Sequence, residues 1–179
     1  METGDESLVA LALQGDGEAF TALVTRHYDL IFRVAFRILG SRDAAMDLAQ
    51  DICAALPGKL AGFRREARFT TWLYRVVSNA ALDHLRRRKA HAKAAEGWAE
   101  AESLARDADA ERQRELDWLH QAMARLAPDL RQTVALVLGE EMTHAEAARV
   151  LDISEGTVSW RMSEVKKALR RMAQAEDPA

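Results

Sequence analysis

The sequence contains little of what secreted, membrane-spanning or β-rich proteins need. Its single cysteine, Cys53, excludes an intramolecular disulfide framework and fits a reducing cytoplasm. The first residues carry acids ahead of a short apolar run, whereas a signal peptide begins with a basic flank. No stretch approaches the ~20 apolar residues of a membrane span. We therefore expect a cytoplasmic protein without direct membrane insertion.

Proline and regular apolar alternation are also scarce. The chain has three prolines in 179 residues, and it is rich in Ala, Leu, Arg and Glu. It shows no alternating apolar and polar runs of the kind that half-buried strands require. These features predict an all-α protein. We expect two small helical domains at 5–90 and 114–173, joined by a flexible acidic linker at 91–113.

The charge of the chain is −3 overall but falls in blocks. Residues 63–93 hold nine Lys or Arg against two acids, and residues 161–171 hold five bases against one acid. Between them, residues 96–117 hold eight acids against three bases. Two basic modules on either side of an acidic connector indicate two nucleic-acid contacts with a tether between them.

Apolar periodicity divides the first domain into helices at 7–14, 20–39, 42–56 and 69–89. Gly40 is expected to end the second helix and Ser41 to cap the third, while Pro57 is expected to disturb or end the third. The last helix finishes in RRRK at 86–89. Cations there suit the helix dipole, but four adjacent bases exceed that need and favour phosphate contact.

The segment 143–169 predicts a helix-turn-helix whose second helix can enter a major groove. Thr143 and Glu146 fit a capping box, and Ser154 can cap the second helix. The apolar side of that helix is Val158, Met162, Val165 and Leu169. The opposite side carries phosphate and base-edge chemistry: Ser159, Trp160, Arg161, Ser163, Lys166 and Lys167. The alternative is an ordinary helical hairpin with a solvated basic face.

The chain resembles bacterial RNA polymerase sigma factors in three segments, which follow the family's order. They are DLAQD at 47–51, RFTTWLYRVVSNAALDHLRRR at 68–88, and the helix-turn-helix. The short two-domain form is similar to the extracytoplasmic-function group, and the resemblance covers residues 18–169. It implies a transcription initiation factor whose first domain recognises and melts the −10 promoter element. The second domain would dock at the −35 element, and neither domain would bind usefully without core polymerase.

The resemblance also implies partners and site residues. The expected partners are core RNA polymerase, through the β′ clamp helices and the β subunit, promoter DNA, and a cognate anti-sigma factor. The expected polymerase contacts are Asp47, Gln50 and Asp51. The expected −10 contacts are Phe69, Arg75, Ser78, Asn79, Asp83, Arg86 and Arg87. The expected −35 contacts are Thr143, His144, Thr157, Ser159, Trp160, Arg161, Ser163, Lys166 and Lys167.

Strand opening requires a substitute for the stacking that the duplex loses. Phe69 is the preferred stacking platform, because it begins its helix after the basic segment 64–68, where the family has its base-capturing loop. The amide of Asn79 can both donate to and accept from a base edge. Trp72, by contrast, is expected in the core.

The chain departs from the family pattern at several positions. Pro57 stands where a tryptophan is common, so the polymerase-facing helix is expected to end early. Ser159 and Glu164 occupy positions that are often basic, and Trp160 is bulky. Glu164 either accepts from a cytosine amino group or pairs with a nearby base of its own helix. The resemblance therefore implies no particular −35 sequence preference.

Catalysis has little support in the sequence. The five histidines are scattered, with no paired spacing and no cysteine partners, so we expect neither a metal nor a cofactor, and most of them on the surface. No Gly-rich phosphate loop is present. Two other function classes stay open: a dimeric helix-turn-helix operator-binding regulator, and a helical interaction protein that mimics a sigma factor. Binding to core polymerase separates the sigma factor from the regulator, and the basic surfaces argue against the mimic.

Overall fold

The computed structural model describes the backbone over residues 3–94 and 110–176, and side chains over residues 3–91 and 118–175. These residues form helices joined by short loops and contain no strand, which confirms the all-α prediction, and most of the expected linker lies outside them. The helices are α1 (Asp5–Leu13), α2 (Gly17–Leu39), α3 (Arg42–Leu60), α4 (Phe69–Ala94), α5 (Ala110–Arg125), α6 (Pro128–Val134), α7 (His144–Leu151) and α8 (Glu155–Glu176). A π-helical turn, Ala135–Gly139, follows α6.

Helix α2 is the centre of the first domain, and its ends are fixed by local signals. Asp16 accepts hydrogen bonds from the backbone N–H groups of Glu18 and Ala19, at 2.9 and 3.0 Å. At the other end Gly40 adopts a φ of 72°, the left-handed conformation that stops a helix. The apolar side of α2 packs against α1, α3 and α4. Its fully buried members are Leu23, Ile31, Val34, Ala35 and Ile38.

Helix α3 begins as expected but continues through Pro57. The hydroxyl of Ser41 accepts from the backbone N–H of Ala44, which caps the start of the helix. The helix then runs to Leu60, so the expectation that Pro57 ends it was wrong. Proline removes one backbone hydrogen bond, but Leu56 and Leu60 are each only 1% exposed. Their burial on either side of Pro57 holds the last turn in helical form.

The Asp5 carboxylate ties α1 to α2 through hydrogen bonds. His27 is 8% exposed, and its Nε2 lies 3.0 Å from Asp5 Oδ2, so the surface position expected for this histidine was wrong. Asp5 also accepts from Arg26 at 2.7 Å. Burial raises the pKa of the Asp5 carboxyl, but the hydrogen bonds from Arg26 and His27 outweigh burial and leave that pKa below its ordinary value. The start of α1 is thereby held against the middle of α2.

The two domains pack directly against each other. Helices α2 and α4 of the first domain contact α6, the π-helical turn and α7 of the second. A single apolar cluster includes buried residues of both domains, among them Val34 and Leu136. Within the described residues, no helix has the length and apolarity needed to cross a membrane.

Candidate nucleic-acid interface

The predicted helix-turn-helix is present. The backbone N–H of Thr143 donates to Glu146 Oε2 at 2.9 Å, and the N–H of Glu146 donates to Thr143 Oγ1 at 3.2 Å, which completes the capping box. These bonds from Thr143 lower the pKa of the Glu146 carboxyl. Asp152 adopts a φ of 57° in the turn between α7 and α8. Ala147 is fully buried and Ala148 nearly so, as a close helix crossing requires.

Helix α8 presents a polar side to solvent, and we name five of its residues the α8 DNA face: Ser159, Trp160, Ser163, Lys166 and Lys167. All five are exposed, and Trp160 keeps 59% of its surface, an unusual exposure for an indole ring. The buried stripe on the other side consists of Val158, Met162 and Val165, with Leu169 half-buried. Side chains that can contact base edges and phosphates therefore lie on the side of α8 that can enter a DNA groove.

Short hydrogen bonds position the start of α8. The hydroxyl of Ser154 accepts from the backbone N–H of Thr157 at 3.1 Å, and the two hydroxyls lie 2.8 Å apart. This confirms Ser154 as the cap and engages the side chain of Thr157. The Nδ1 atom of His144, the first residue of α7, lies 2.9 Å from Ser159 Oγ. The imidazole thus orients one hydroxyl of the α8 DNA face.

Arg161 does not belong to the exposed side of α8. Its Nη2 lies 3.6 Å from Asp129 Oδ2, and its Nη1 donates to Thr133 Oγ1 at 3.3 Å. Its side chain is 17% exposed, so we remove it from the expected −35 contacts, because its guanidinium is already bound within its own domain. Glu164 pairs with Lys167 at 2.8 Å. In this structure it therefore pairs with a base of its own helix, which is one of the two roles expected for it.

The second half of α4 carries an exposed polar stripe, the α4 DNA face: Asn79, Asp83, Arg86 and Arg87. Their spacing of four, three and one places them along one side of the helix, and all four are exposed. Arg87 Nε donates to the backbone carbonyl of Asp83 at 3.3 Å, and Arg86 lies 3.9 Å from the Asp83 carboxylate. The basic end of α4 is therefore available to a phosphate backbone.

Two expected −10 contacts are buried instead. Phe69 is 2% exposed, and its ring centroid lies 5.2 to 5.7 Å from those of His27, Phe63 and Trp72. An aromatic ring enclosed in this way has no free face on which a base can stack. Ser78 is fully buried, and its hydroxyl donates to the backbone carbonyl of Tyr74 at 2.7 Å. Both residues stabilise the first domain in this arrangement.

Arg75 was expected at the −10 DNA but contacts the second domain. Its Nη2 donates to the backbone carbonyl of Arg149 at 2.6 Å, and its Nε to that of Val150 at 3.1 Å. These carbonyls lie in the last turn of α7, where they have no partner within the helix. Arg75 therefore caps α7 from the other domain.

The acidic α3 face consists of Asp47, Gln50 and Asp51, all of them exposed. The buried side of α3 is formed by Ala45, Leu48, Ala49, Ile52, Leu56 and Leu60. The three polar residues stand opposite this stripe, at the spacing of neighbours on a helix surface. Because α3 continues past Pro57, the face lies on a full-length helix.

Glu140 is the functional-site candidate that the sequence reading missed. It sits just after the π-helical turn, and its side chain is 3% exposed. Its carboxylate accepts two hydrogen bonds from Arg33, at 2.9 and 2.8 Å, one from Tyr74 at 2.7 Å, and one from Arg37. The available signal was Arg33 and Arg37, two bases four residues apart on one side of α2.

The contacts around Glu140 change the pKa of its carboxyl and the pKa of the Tyr74 phenol. Burial raises the pKa of the Glu140 carboxyl, but hydrogen bonds from Arg33 and Tyr74 outweigh it and hold that pKa below its ordinary value. Burial, with the bond to Glu140, raises the pKa of Tyr74 to about 12. The carboxylate is thus ionised and the phenol protonated at neutral pH, which is the state that makes all of these bonds. Among the described residues, no cluster of His, Cys, Asp and Glu could hold a metal ion.

The comparisons with known proteins match the two domains separately. The family model described as Sigma-70 region 2 matches residues 23–91, and the model described as Sigma-70, region 4 matches residues 116–169. The first match contains the acidic α3 face and the α4 DNA face. The second contains the helix-turn-helix and the α8 DNA face.

Similar proteins extend the likeness over nearly the whole chain. The ECF RNA polymerase sigma factor SigM of Mycobacterium tuberculosis is 33% identical over 172 residues, which cover 96% of this chain and 85% of SigM. The structure of CnrH in complex with the cytosolic domain of CnrY has a TM-score of 0.67 at 25% identity and covers 97% of this chain and 99% of CnrH. The sigma factor RpoE of Bartonella quintana, in complex with the anti-sigma factor NepR, shares the fold, with a TM-score of 0.66 at 19% identity. The match covers 88% of this chain and 98% of RpoE. The chain therefore belongs to the extracytoplasmic-function (ECF) group of bacterial RNA polymerase sigma factors.

Proposed function

We propose that this sigma factor directs core RNA polymerase to promoters through three exposed surfaces. The acidic α3 face binds core polymerase, the α4 DNA face binds the −10 element, and the α8 DNA face binds the −35 element. One observation carries this assignment: the three surfaces are exposed on the segments that match Sigma-70 regions 2 and 4. Initiation is thus divided between two domains.

The acidic α3 face suits a basic protein partner. Asp47 and Asp51 stand one helical turn apart, with Gln50 beside them, so that two carboxylates and an amide point the same way. Exposed charges of one sign steer association and set specificity more than they add affinity. We assign this face to the β′ clamp helices of core polymerase, with further contact to the β subunit.

Strand opening at the −10 element needs a stacking surface other than Phe69. The loop before α4 exposes Arg64, Arg65 and Arg68. Guanidinium planes can stack on unpaired bases and also contact phosphates. We therefore assign capture of the opened strand to this loop together with Asn79, while Arg86 and Arg87 hold the adjoining duplex.

The α8 DNA face divides into positions that recognise bases and positions that contact phosphates. Ser159, Trp160 and Ser163 lie nearer the start of the helix, where a recognition helix contacts base edges. Lys166 and Lys167 lie one to two turns further on, and an ammonium is a point charge suited to phosphate. Thr143 and His144 stand at the N-terminal end of α7, where backbone N–H groups and the helix dipole favour a phosphate.

A cognate anti-sigma factor is the regulatory partner that we propose. RpoE was solved in complex with the anti-sigma factor NepR, and CnrH in complex with the cytosolic domain of CnrY. By analogy, an antagonist would bind this chain and keep it from core polymerase in the cytoplasm. The chain would act by binding and would catalyse no reaction of its own.

Reconstituted transcription tests the proposal. Core polymerase with the protein should initiate from a specific set of genomic promoters that core alone does not use. The double variant Asp47→Arg and Asp51→Arg should abolish this activity. A protein that binds DNA sites tightly without core, and gives core no promoter specificity, would instead be a dimeric operator-binding regulator.

A further inference from the structure

The segment between α3 and α4 is closed at its base by two phenylalanines. Residues 64–68 are all exposed and include the three arginines assigned above to the opened strand. We name residues 64–68 the strand-capture loop. Phe63 precedes the loop and Phe69 follows it, and both side chains are buried. Their rings meet edge to face with centroids 5.7 Å apart, so a buried aromatic contact joins the two ends of the loop.

A third ring and one backbone angle indicate that the strand-capture loop has a defined shape. The ring of Trp72, one turn into α4, has its centroid 5.4 Å from that of Phe63 and 5.6 Å from that of Phe69. We name these three residues the aromatic clasp. Arg65 adopts a φ of 58°, in the left-handed region that residues other than glycine rarely occupy. Such a conformation persists only where the surrounding structure fixes it, so the clasp and the loop form one ordered unit.

The aromatic clasp rests on His27, a buried histidine that the proposed function does not use. The ring of His27 lies 5.2 Å from that of Phe69 between centroids, at an interplanar angle of 58°. Its Nε2 lies 3.0 Å from Oδ2 of Asp5 in α1. The lowered pKa of Asp5 keeps this carboxyl ionised at neutral pH, and a carboxylate can only accept, so Nε2 carries the proton. One hydrogen bond and one aromatic contact therefore fix the imidazole ring.

These contacts connect the first helix of the chain to the strand-capture loop. Asp5 is itself held by Arg26, which donates to Oδ1 at 2.7 Å. Asp5 contacts His27, His27 contacts Phe69, and Phe69 joins the end of the loop to its start. A change at Asp5 can therefore alter the loop without removing any residue that the proposed function places on DNA or polymerase.

We propose that Asp5 and His27 are positioning residues for strand opening: they hold the aromatic clasp, and the clasp keeps the strand-capture loop in the shape that receives the unpaired −10 strand. A loop that is already ordered avoids the free-energy cost of ordering its side chains when DNA binds. The inference rests on the proposed function, because it names the residues that prepare the loop assigned there to the opened strand. It gives α1 a part in promoter opening.

Two variants interrupt these contacts at different points. His27→Gln keeps a donor for Asp5 but removes the ring that packs on Phe69, and Asp5→Ala removes the acceptor of Nε2 while the ring stays. Glu6→Ala is the matched control, because Glu6 is the exposed acid next to Asp5 in the first turn of α1. Circular dichroism and thermal unfolding verify that each full-length variant is folded at the assay temperature.

The first measurement follows the strand-capture loop in the free protein. A nitroxide label at Glu66→Cys, an exposed position in the middle of the loop, in a Cys53→Ser background, reports local motion through its electron resonance line shape. The parent and Glu6→Ala should give a mainly slow component. His27→Gln and Asp5→Ala should enlarge the fast component roughly twofold or more, because the loop then moves on the nanosecond timescale of unanchored loops.

The second measurement separates promoter opening from promoter binding. With holoenzyme on duplex promoter, His27→Gln and Asp5→Ala should slow the appearance of permanganate-reactive thymines at −10 roughly three- to tenfold, the effect of having to order one or two loose side chains on binding. Core affinity and closed-complex formation should stay unchanged, and a premelted template should restore transcription. Glu6→Ala should match the parent throughout.

Unchanged loop motion in either variant would overturn the positioning role of that residue. A more mobile loop with normal opening would overturn the role in initiation, and so would an equal loss of core binding, closed complex and opening, because that result is a general defect of the domain. If the parent itself directs core polymerase to no promoter, the proposed function fails, while the line shapes still decide whether Asp5 and His27 hold the loop.

Discussion

Arg161 of α8 points back into its own domain and places Nη2 3.6 Å from Oδ2 of Asp129 in α6. Most of its polar neighbours on α8 face solvent. The same helix therefore exposes side chains that can contact DNA and is attached to α6 through Arg161. The anchor fixes the rotation of α8 about its axis, which determines which side chains enter a groove. Arg161 therefore acts on DNA binding through the position of the helix.

Arg161→Ala should destabilise the second domain while leaving the −35 sequence preference unchanged. Loss of the contacts to Asp129 and Thr133 should cost on the order of 1 kcal/mol, because the guanidinium is only partly screened by water. Thermal unfolding measures this change, and Arg171→Ala, at an exposed position of the same helix, is the control. A variant of unchanged stability that prefers different −35 sequences would return Arg161 to the DNA contacts.

The acidic α3 face should act through polymerase and not through folding. Asp47→Arg with Asp51→Arg should abolish core binding, whereas exposed substitutions usually shift stability by no more than ~0.5 kcal/mol. Fluorescence anisotropy of labelled protein titrated with core measures binding, and Asp29→Arg, at an exposed position of α2, controls for added positive charge. Normal core binding by the double variant, or its unfolding, contradicts the assignment.

Phe69→Ala should unfold or strongly destabilise the first domain. Removing an aromatic side chain from a closely packed site costs about 3–5 kcal/mol, and this ring touches three other aromatic rings. Chemical denaturation of the full chain measures the loss, and Phe69→Leu should recover much of it because it keeps apolar volume in the cavity. A stable Phe69→Ala protein that fails only in strand opening would show that the ring leaves the core when DNA is bound.

The features that could be predicted from the sequence are local helix starts and ends. The capping box of Thr143 and Glu146, the stop at Gly40 and the cap at Ser41 each depend on residues within a turn of one another. The resemblance to sigma factors supplied the function from segments that can be compared directly. Helix existence and the placement of the helix-turn-helix were therefore predictable.

The positions misjudged from sequence depend on packing between distant segments. Phe69 precedes Leu73 and Val77 at intervals of four, so its burial was visible in the helical pattern, but its charged neighbours suggested exposure. The bonds from Arg33 to Glu140 join residues 107 apart in the sequence, and no local pattern reports such a pairing. Arg75 reaches α7 across the same boundary. The sequence alone does not distinguish a basic residue that contacts a DNA phosphate from one that caps the end of a helix.

Asn79→Ala should weaken strand opening more than initial promoter binding. Asn79 is exposed on α4, and we expect its amide to donate to and accept from the Watson–Crick edge of a base that has left the duplex. Permanganate reactivity of unpaired thymines should fall at the −10 element, and a premelted template should restore transcription. Asn79→Asp keeps the shape and loses the donor, so it should open promoters only partly. Equal opening by Asn79→Ala and the parent on duplex DNA would place base capture elsewhere.

Phosphate contact and base recognition on the α8 DNA face should be separable by mutation. Lys166→Ala with Lys167→Ala removes two point charges, so promoter binding should weaken about equally across −35 variants, and the salt slope should fall by roughly one to two units. Substitutions at Ser159 or Trp160, near the helix start, should instead change which −35 sequence is preferred. His144→Ala should act in the same sense as Ser159→Ala, because the imidazole holds that hydroxyl at 2.9 Å. Titrations of holoenzyme on a small promoter panel at several salt concentrations separate these behaviours. If the lysine variant alters sequence preference while the Ser159 and Trp160 variants do not, α8 meets the groove with a different rotation from the one proposed here.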